Sequence, residues 1–298
     1  CACLVGSEMC IRDRLNNGLN YSARFTLADS RTKITRYSNP SGLIDGFYAG
    51  KYVGEIWGYE TIGIAQSDQE MAEHIGRLIN GGQSNLGQDW KAGDIMYKDL
   101  NEDGKIDAGS RTLQDHGDLK RIGNSTPRYN VGLELAADWK GFDIRMFWQG
   151  TLKRDYFQGS YYFWGANGRQ GPWFSTALKG HDDYFRNDEA SPLGTNLNSY
   201  YPRPLFNTDK NQQSQTKYLQ DASYLRLKNL QIGYSLPHNI VQKMGMQHLR
   251  IFASGENLFT ITSLIDFFDP ESIEGGSWGH GNVYPLSRTF SFGLNVTF

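Results

Sequence analysis

The last eleven residues, Arg288-Thr-Phe-Ser-Phe-Gly-Leu-Asn-Val-Thr-Phe298, alternate without a break. Phe290, Phe292, Leu294, Val296 and Phe298 fall on one face, and Thr289, Ser291, Gly293, Asn295 and Thr297 on the other. Such a segment is a β-strand with one face in an apolar medium and one in water.

The pattern recurs along the chain. Leu19, Tyr21, Ala23, Phe25 and Leu27 alternate with Asn20, Ser22, Arg24 and Thr26. Tyr129, Val131, Leu133, Leu135, Ala137 and Trp139 share a face, and after Lys140-Gly141 so do Phe142, Ile144, Met146 and Trp148, which predicts a hairpin with aromatics at its strand ends. Leu249, Ile251 and Ala253 continue the theme. From Leu225 the phase slips: Leu225 and Leu227 are odd-numbered, whereas Leu230, Ile232, Tyr234 and Leu236 are even, which predicts a bulge near Lys228-Asn229. One helix is expected around 69–80, with Met71, Ile75, Leu78 and Ile79 as its apolar stripe, Asp68 as N-cap and Gly81-Gly82 as its stop. The stretch 156–220 is rich in Asn, Gly, Ser, Tyr and Pro, and is too long for a connection inside a compact soluble domain.

A single alternating strand suits a soluble sandwich as well as a transmembrane barrel. Repeated strands joined by long polar connections favour the barrel, in which lipid-facing and lumen-facing residues alternate. The expected fold class is therefore all-β, an antiparallel transmembrane β-barrel portion with long extracellular loops. Composition agrees: aromatics make up 13% of the chain, yet the mean hydropathy is −0.56, as expected when each strand gives only one face to lipid. There is no run of about 18 apolar residues to form a transmembrane helix. A formal net charge of −2 argues against a nucleic-acid surface, which needs clustered Lys and Arg.

All three cysteines, Cys1, Cys3 and Cys10, lie in the first fourteen residues. A disulfide framework would spread them through the fold, and a metal site would want His or Cys partners elsewhere. The string from Leu4 to Arg14 resembles translated adapter read-through, so residues 1–14 are expected to be a non-native leader, with the fold carried by 15–298.

Five words occur in order: Gly50-Lys-Tyr-Val-Gly-Glu-Ile-Trp-Gly-Tyr-Glu-Thr-Ile-Gly63, Gly93-Asp-Ile-Met-Tyr-Lys-Asp-Leu-Asn-Glu-Asp-Gly-Lys-Ile-Asp107, Ile122-Gly-Asn-Ser-Thr-Pro-Arg-Tyr129, Ser223-Tyr-Leu-Arg-Leu-Lys-Asn-Leu-Gln-Ile-Gly-Tyr-Ser-Leu-Pro237 and Gly255-Glu-Asn-Leu-Phe-Thr260. Together they resemble the C-terminal part of SusC/RagA-type TonB-dependent outer-membrane receptors, over roughly residues 15–298. The resemblance implies a nutrient importer in the outer membrane, taking up oligosaccharides or peptides with a SusD-like lipoprotein and driven by the TonB complex. It also implies a wall of roughly 22 strands closed around a plug. This sequence contains neither the plug domain nor the TonB box of that family, and 15–298 supplies too few strands to close such a wall alone.

The segment Asp99-Leu-Asn101-Glu-Asp103-Gly104-Lys105-Ile-Asp107 carries chemistry of its own. Asp99, Asn101, Asp103 and Asp107 stand at positions 1, 3, 5 and 9 of an EF-hand-type loop, with Gly104 at the sharp turn and Lys105 offering a backbone carbonyl at position 7. The expected ligand is Ca2+, although position 12 is Ser110 rather than a bidentate acid; the same residues also suit a solvated Asx-rich turn. No organic cofactor is expected. Catalysis finds little support, because the six histidines are scattered and no nucleophile elbow, P-loop or dinucleotide fingerprint is present. His181-Asp182-Asp183 reads as a solvated cluster, and the Tyr and Trp residues of 156–201 read as loop core or interface belt before ligand stackers. The second functional reading is a non-transporting, calcium-stabilised cell-surface β-protein that binds glycans.

Overall fold

The structure is a computed structural model and describes residues 2–298 apart from 167, 170, 176, 275–280 and 282. Its strands are β1 (Ala2–Arg14), β2 (Asn20–Thr32), β3 (Glu55–Gly58), β4 (Thr61–Ile64), β5 (Ile95–Tyr97), β6 (Lys120–Asn124), β7 (Arg128–Trp139), β8 (Phe142–Lys153), β9 (Asp155–Phe157), β10 (Leu219–Asp221), β11 (Tyr224–Ser235), β12 (His248–Thr262) and β13 (Thr289–Thr297). Helices α1 (Asp68–Arg77), α2 (Tyr161–Trp164) and α3 (His238–Lys243) lie between them.

Seven long strands form one open antiparallel sheet in the order β1-β2-β7-β8-β11-β12-β13. Its register explains the alternation. Met9, Phe25, Leu133, Trp148, Leu227 and Phe259 stand opposite one another, strand to strand, as one row. A second row runs Tyr21, Ala137, Ile144, Ile232, Ala253 and Phe292. Between them on the other face runs Ser22, Ala136, Arg145, Gln231, Ser254 and Ser291. One face of the wall is therefore apolar from β2 to β13, and the other largely polar. Among the described residues nothing covers the apolar face near its C-terminal edge, where Phe292 is 86% and Leu294 64% exposed.

The expected bulge is present. Lys228 is skipped in both ladders of β11, which brings Leu225 and Leu227 onto the face of Leu230, Ile232 and Tyr234. Residues 2–14, expected to stand outside the fold, are placed as edge strand β1, paired with β2 from Ala2↔Thr32 to Arg14↔Asn20. That ladder is made of backbone groups, so it is indifferent to the origin of the segment.

The connections divide by length. At one rim β1 turns into β2 through 15–19, β7 into β8 through Lys140-Gly141, and β11 into β12 through α3. At the other rim lie the long connections 33–127, 154–223 and 263–288, an asymmetry typical of outer-membrane barrels. The hydrophobic core lies here rather than in the wall. Ile44, Tyr59, Ile95, Tyr97, Ile106, Tyr156, Phe163, Trp164, Tyr201, Tyr218, Leu264, Phe268 and Ile273, drawn from all three connections, are buried together.

Helix α1 starts one residue earlier than its pattern indicates. Ser67 is the N-cap, its hydroxyl accepting the Glu70 N–H at 3.1 Å, while Asp68 accepts the Ala92 N–H at 2.8 Å. Met71 and Leu78 are buried as expected, but Ile79, beyond the helix end, is 84% exposed. Among the described residues no helix is long and apolar enough to cross a membrane.

Candidate functional site

The long connections are organised around β5, which pairs with β4 along one edge only. Its other backbone groups need partners, since a buried peptide group without one is costly. Side chains provide them: Asn211 Oδ1 accepts the Ile95 N–H at 3.0 Å, Gln83 Oε1 accepts the Tyr97 N–H at 2.6 Å, and Gln83 Nε2 donates to the Ile95 carbonyl at 3.0 Å. Asp94, fully buried at the start of this strand, binds Arg203 at 2.7 and 2.8 Å, Asn211 at 2.9 Å and Lys210 at 2.9 Å. Burial alone would push its carboxyl up; the bonds from Arg203, Asn211 and Lys210 to the ionised form outweigh it and hold the group below its ordinary range. Burial pushes the Lys210 ammonium down, against the pull of Asp94. Asp94, Arg203, Lys210 and Asn211 escaped the sequence reading because partners more than a hundred residues apart leave no spacing signal.

The 99–107 segment folds as a tight loop beside this anchor. Asp99 Oδ2 accepts the Gly104 N–H at 2.8 Å, Asn101 Oδ1 that of Asp103 at 3.2 Å, Asp103 Oδ1 that of Lys105 at 3.1 Å, and Asp107 Oδ1 that of Gly109 at 2.8 Å. Gly104 has φ +79°, and a Cβ there would crowd Ile79 and the Asn80 backbone at 3.1–3.2 Å, so the turn requires glycine. Beneath the loop the fully buried Asp118 accepts the N–H groups of Leu100 at 2.7 Å and Asp107 at 2.9 Å, and burial pushes its carboxyl up.

Two features bear on cation binding. Asp99 Oδ1 is buried and has no hydrogen-bond partner, as an oxygen prepared for a cation would be. Lys105 Nζ, however, lies 2.5 Å from Asp107 Oδ2 and 3.7 Å from Asp103 Oδ2, so an ammonium holds two of the expected ligands, and its contact keeps the Asp107 carboxyl low. Ser110, at position 12, turns away to bond Asp115. Among the described residues no three His, Cys, Asp or Glu side chains are grouped closely enough to hold a metal ion.

His181 differs from the expected solvated cluster. Its ring is buried, Nδ1 accepts the Leu178 N–H at 2.8 Å and Nε2 lies 3.0 Å from the Phe163 carbonyl. Those contacts assign the proton to Nε2, and burial pushes the imidazole pKa down. Both nitrogens are occupied, so this histidine serves structure. Tyr156, Trp164 and Tyr201 belong to the loop core, as expected, and Phe163 joins them there.

The arrangement is a one-sided wall capped at one rim by a packed loop module, and comparison with known proteins gives it a context. No family model matches the chain. TonB-dependent receptor P3 of Formosa agariphila is 28% identical over 98% of this chain, and P39 of the same organism is 22% identical over 95%. The chain is similar to TonB-dependent receptors over nearly its whole length. It spans 28% and 29% of the lengths of those two receptors. Among solved structures the chain matches a chain of the RagAB peptide transporter with a TM-score of 0.65 at 21% identity, covering 99% of this chain and 29% of that one. The RagAB peptide importer in its open-open state gives a TM-score of 0.61 at 20% identity. The open seven-strand sheet thus has the fold of part of a TonB-receptor barrel.

Proposed function

We propose that the segment forms part of the barrel wall and the external loops of an outer-membrane importer that takes up oligosaccharides or peptides by TonB-dependent transport with a SusD-like lipoprotein. The observation that carries this reading is the apolar face that runs from β2 to β13, opposite a largely polar face, with the long connections at one rim. A sandwich would cover that face with a second sheet; a barrel presents it to lipid. The relationship to TonB-dependent receptors over nearly the whole segment points the same way. On this reading the protein is a transporter rather than an enzyme.

The test is genetic and biochemical. Deleting the gene should abolish growth on the imported oligosaccharide or peptide while leaving growth on its monomers intact, and a tagged receptor should sediment with outer membranes and co-purify with a surface lipoprotein. Recovery in the soluble fraction, or normal growth on every polymeric nutrient offered, would remove the proposal.

We also propose that the 99–107 loop takes a calcium ion, held by the Asp99, Asn101, Asp103 and Asp107 side chains and the Lys105 carbonyl, with water completing the six to eight oxygens that calcium requires. The orphaned Asp99 oxygen supports this. The Lys105 side chain would have to swing away from Asp107, and the Asp99, Asp103 and Asp107 carboxylates would have to draw together around the ion, which predicts weak binding.

A further inference from the structure

Where the wall meets the connection 33–127 there is a cleft of about 410 Å³, within the roughly 300–1,000 Å³ of pockets that take small ligands. Arg31, Arg121, Arg128 and Lys153 line it, together with Glu55 and Asp155. The cations come from β2, β6, β7 and β8, so the topology gathers them from positions far apart in sequence.

The acids of the lining are committed to the fold, and two of the cations are not. Glu55 accepts the Tyr48 hydroxyl at 2.6 Å and the Tyr52 N–H at 2.9 Å, with Arg121 3.5 Å away, and Asp155 accepts the Asn124 N–H at 2.9 Å. Arg128 is held by both oxygens of Asp29. Among the described residues no Asp or Glu forms an ion pair with Arg31 or Lys153, and both side chains are exposed. The Arg31 guanidinium lies over the Tyr52 ring, 3.5 Å from its centroid, a spacing that fits flat stacking and leaves the edges of the fork free to donate. Lys153 stands opposite Arg128 and continues the polar row of Thr151 in β8. Neutral hydrogen-bonding groups are scarce in the cleft, because Thr126 Oγ1 and Asn124 Nδ2 both donate to the Val53 carbonyl, at 2.8 and 3.0 Å.

We propose that this cleft binds the carboxylate group of a ligand, held edge-on by the Arg31 fork and by the Lys153 ammonium. A planar carboxylate matches a guanidinium edge with two parallel hydrogen bonds. It also suits the site better than a phosphate dianion, whose second charge would be repelled by Glu55 and Asp155. The proposal stands apart from the transport reading, because binding would occur whether or not anything is imported.

The test is titration calorimetry at pH 7 on the protein in detergent micelles. N-acetyltriglycine and its amide probe a carboxylate borne on a peptide, methyl glucuronide and methyl glucoside one borne on a sugar, and inorganic phosphate is the competing anion. Binding of either acid at least tenfold tighter than its neutral counterpart, and tighter than phosphate, supports the proposal, and the tighter acid identifies the source. Arg31→Gln and Lys153→Gln should each weaken binding at least tenfold at unchanged thermal stability, since neither cation has an ion-pair partner among the described residues to lose. Lys243→Gln, on the exposed side of α3 at the opposite rim, should bind as the parent does. Equal binding of acids and neutral counterparts, tighter binding of phosphate, undiminished binding by Arg31→Gln or Lys153→Gln, or an equal loss in Lys243→Gln would overturn it.

Discussion

Arg250 on β12 reaches Asp143 on β8 across the full width of β11, with Nε 2.9 Å from Oδ2 and an outer guanidinium nitrogen 2.5 Å from Oδ1. Gly233 on the intervening strand makes this possible, because a Cβ there would come within 2.4 Å of both partners. Gly233→Ala and Asp143→Ala should each break the pair, at a cost of about 1.5–3 kcal/mol for hydrogen bonds between charged groups. The double variant should cost little more than either single one, because both remove the same interaction. Urea unfolding of the protein in detergent micelles checks this; fully additive losses would show that Gly233 acts independently of the pair.

The Asp94 anchor gives the loop module an acid limit. Its carboxyl titrates below the ordinary value in the fold, so its stabilisation is present above the unfolded pKa of about 3.9 and is lost as pH falls through the lower folded value. Below about pH 4, near-ultraviolet circular dichroism from the buried Tyr and Trp side chains should fade while the β-sheet signal persists. Asp94→Asn should remove that dependence. It should also cost about 3–5 kcal/mol, by leaving the buried Arg203 and Lys210 charges without their counterion.

Calcium binding at 99–107 should have a dissociation constant on the order of 10⁻⁴–10⁻³ M, the range of weak extracellular sites. Asp99→Ala and Asp103→Ala should abolish the calorimetric signal and leave the wall strands unaffected. Lys105→Ala should tighten binding, because it removes the ammonium that competes for Asp107. An unchanged heat across these variants would assign the loop to a plain Asx-rich turn.

The terminal strand provides a contrast at neighbouring positions. Leu294→Arg should cost about 2–4 kcal/mol if the residue sits near the bilayer midplane, whereas Asn295→Arg should be tolerated far better. Outer-membrane yield and thermal unfolding measure it, and equal tolerance at both positions would remove the lipid-facing assignment of this face.

The wall was legible from sequence because strand alternation is local: each residue's face follows from its neighbours at i±2, and even the slip at Lys228 shows in that period. The helix was legible for the same reason, with its cap displaced by one residue because Ser67 and Asp68 both suit the position. The loop module was not. Its core joins Ile44 to Phe268 and its anchor joins Asp94 to Arg203, and contacts at such separations leave no period to read. His181 shows the converse error: a polar neighbourhood in sequence became a buried one in space. In the 99–107 loop, spacing identified the turn and its Asx bonds, while the Lys105 contact with Asp107 depends on a side-chain path that spacing does not fix.

The shared core of the three long connections also has a mechanical meaning for the wall. Residues entering it from before β7, between β8 and β11, and after β12 knot one rim together, while at the opposite rim the strands are joined only by short hairpins and α3. A lateral pull on the sheet would therefore meet unequal resistance along its length. The strands should part first at the hairpin rim and fan open about the loop module as a hinge, so that the seam tears in one direction only.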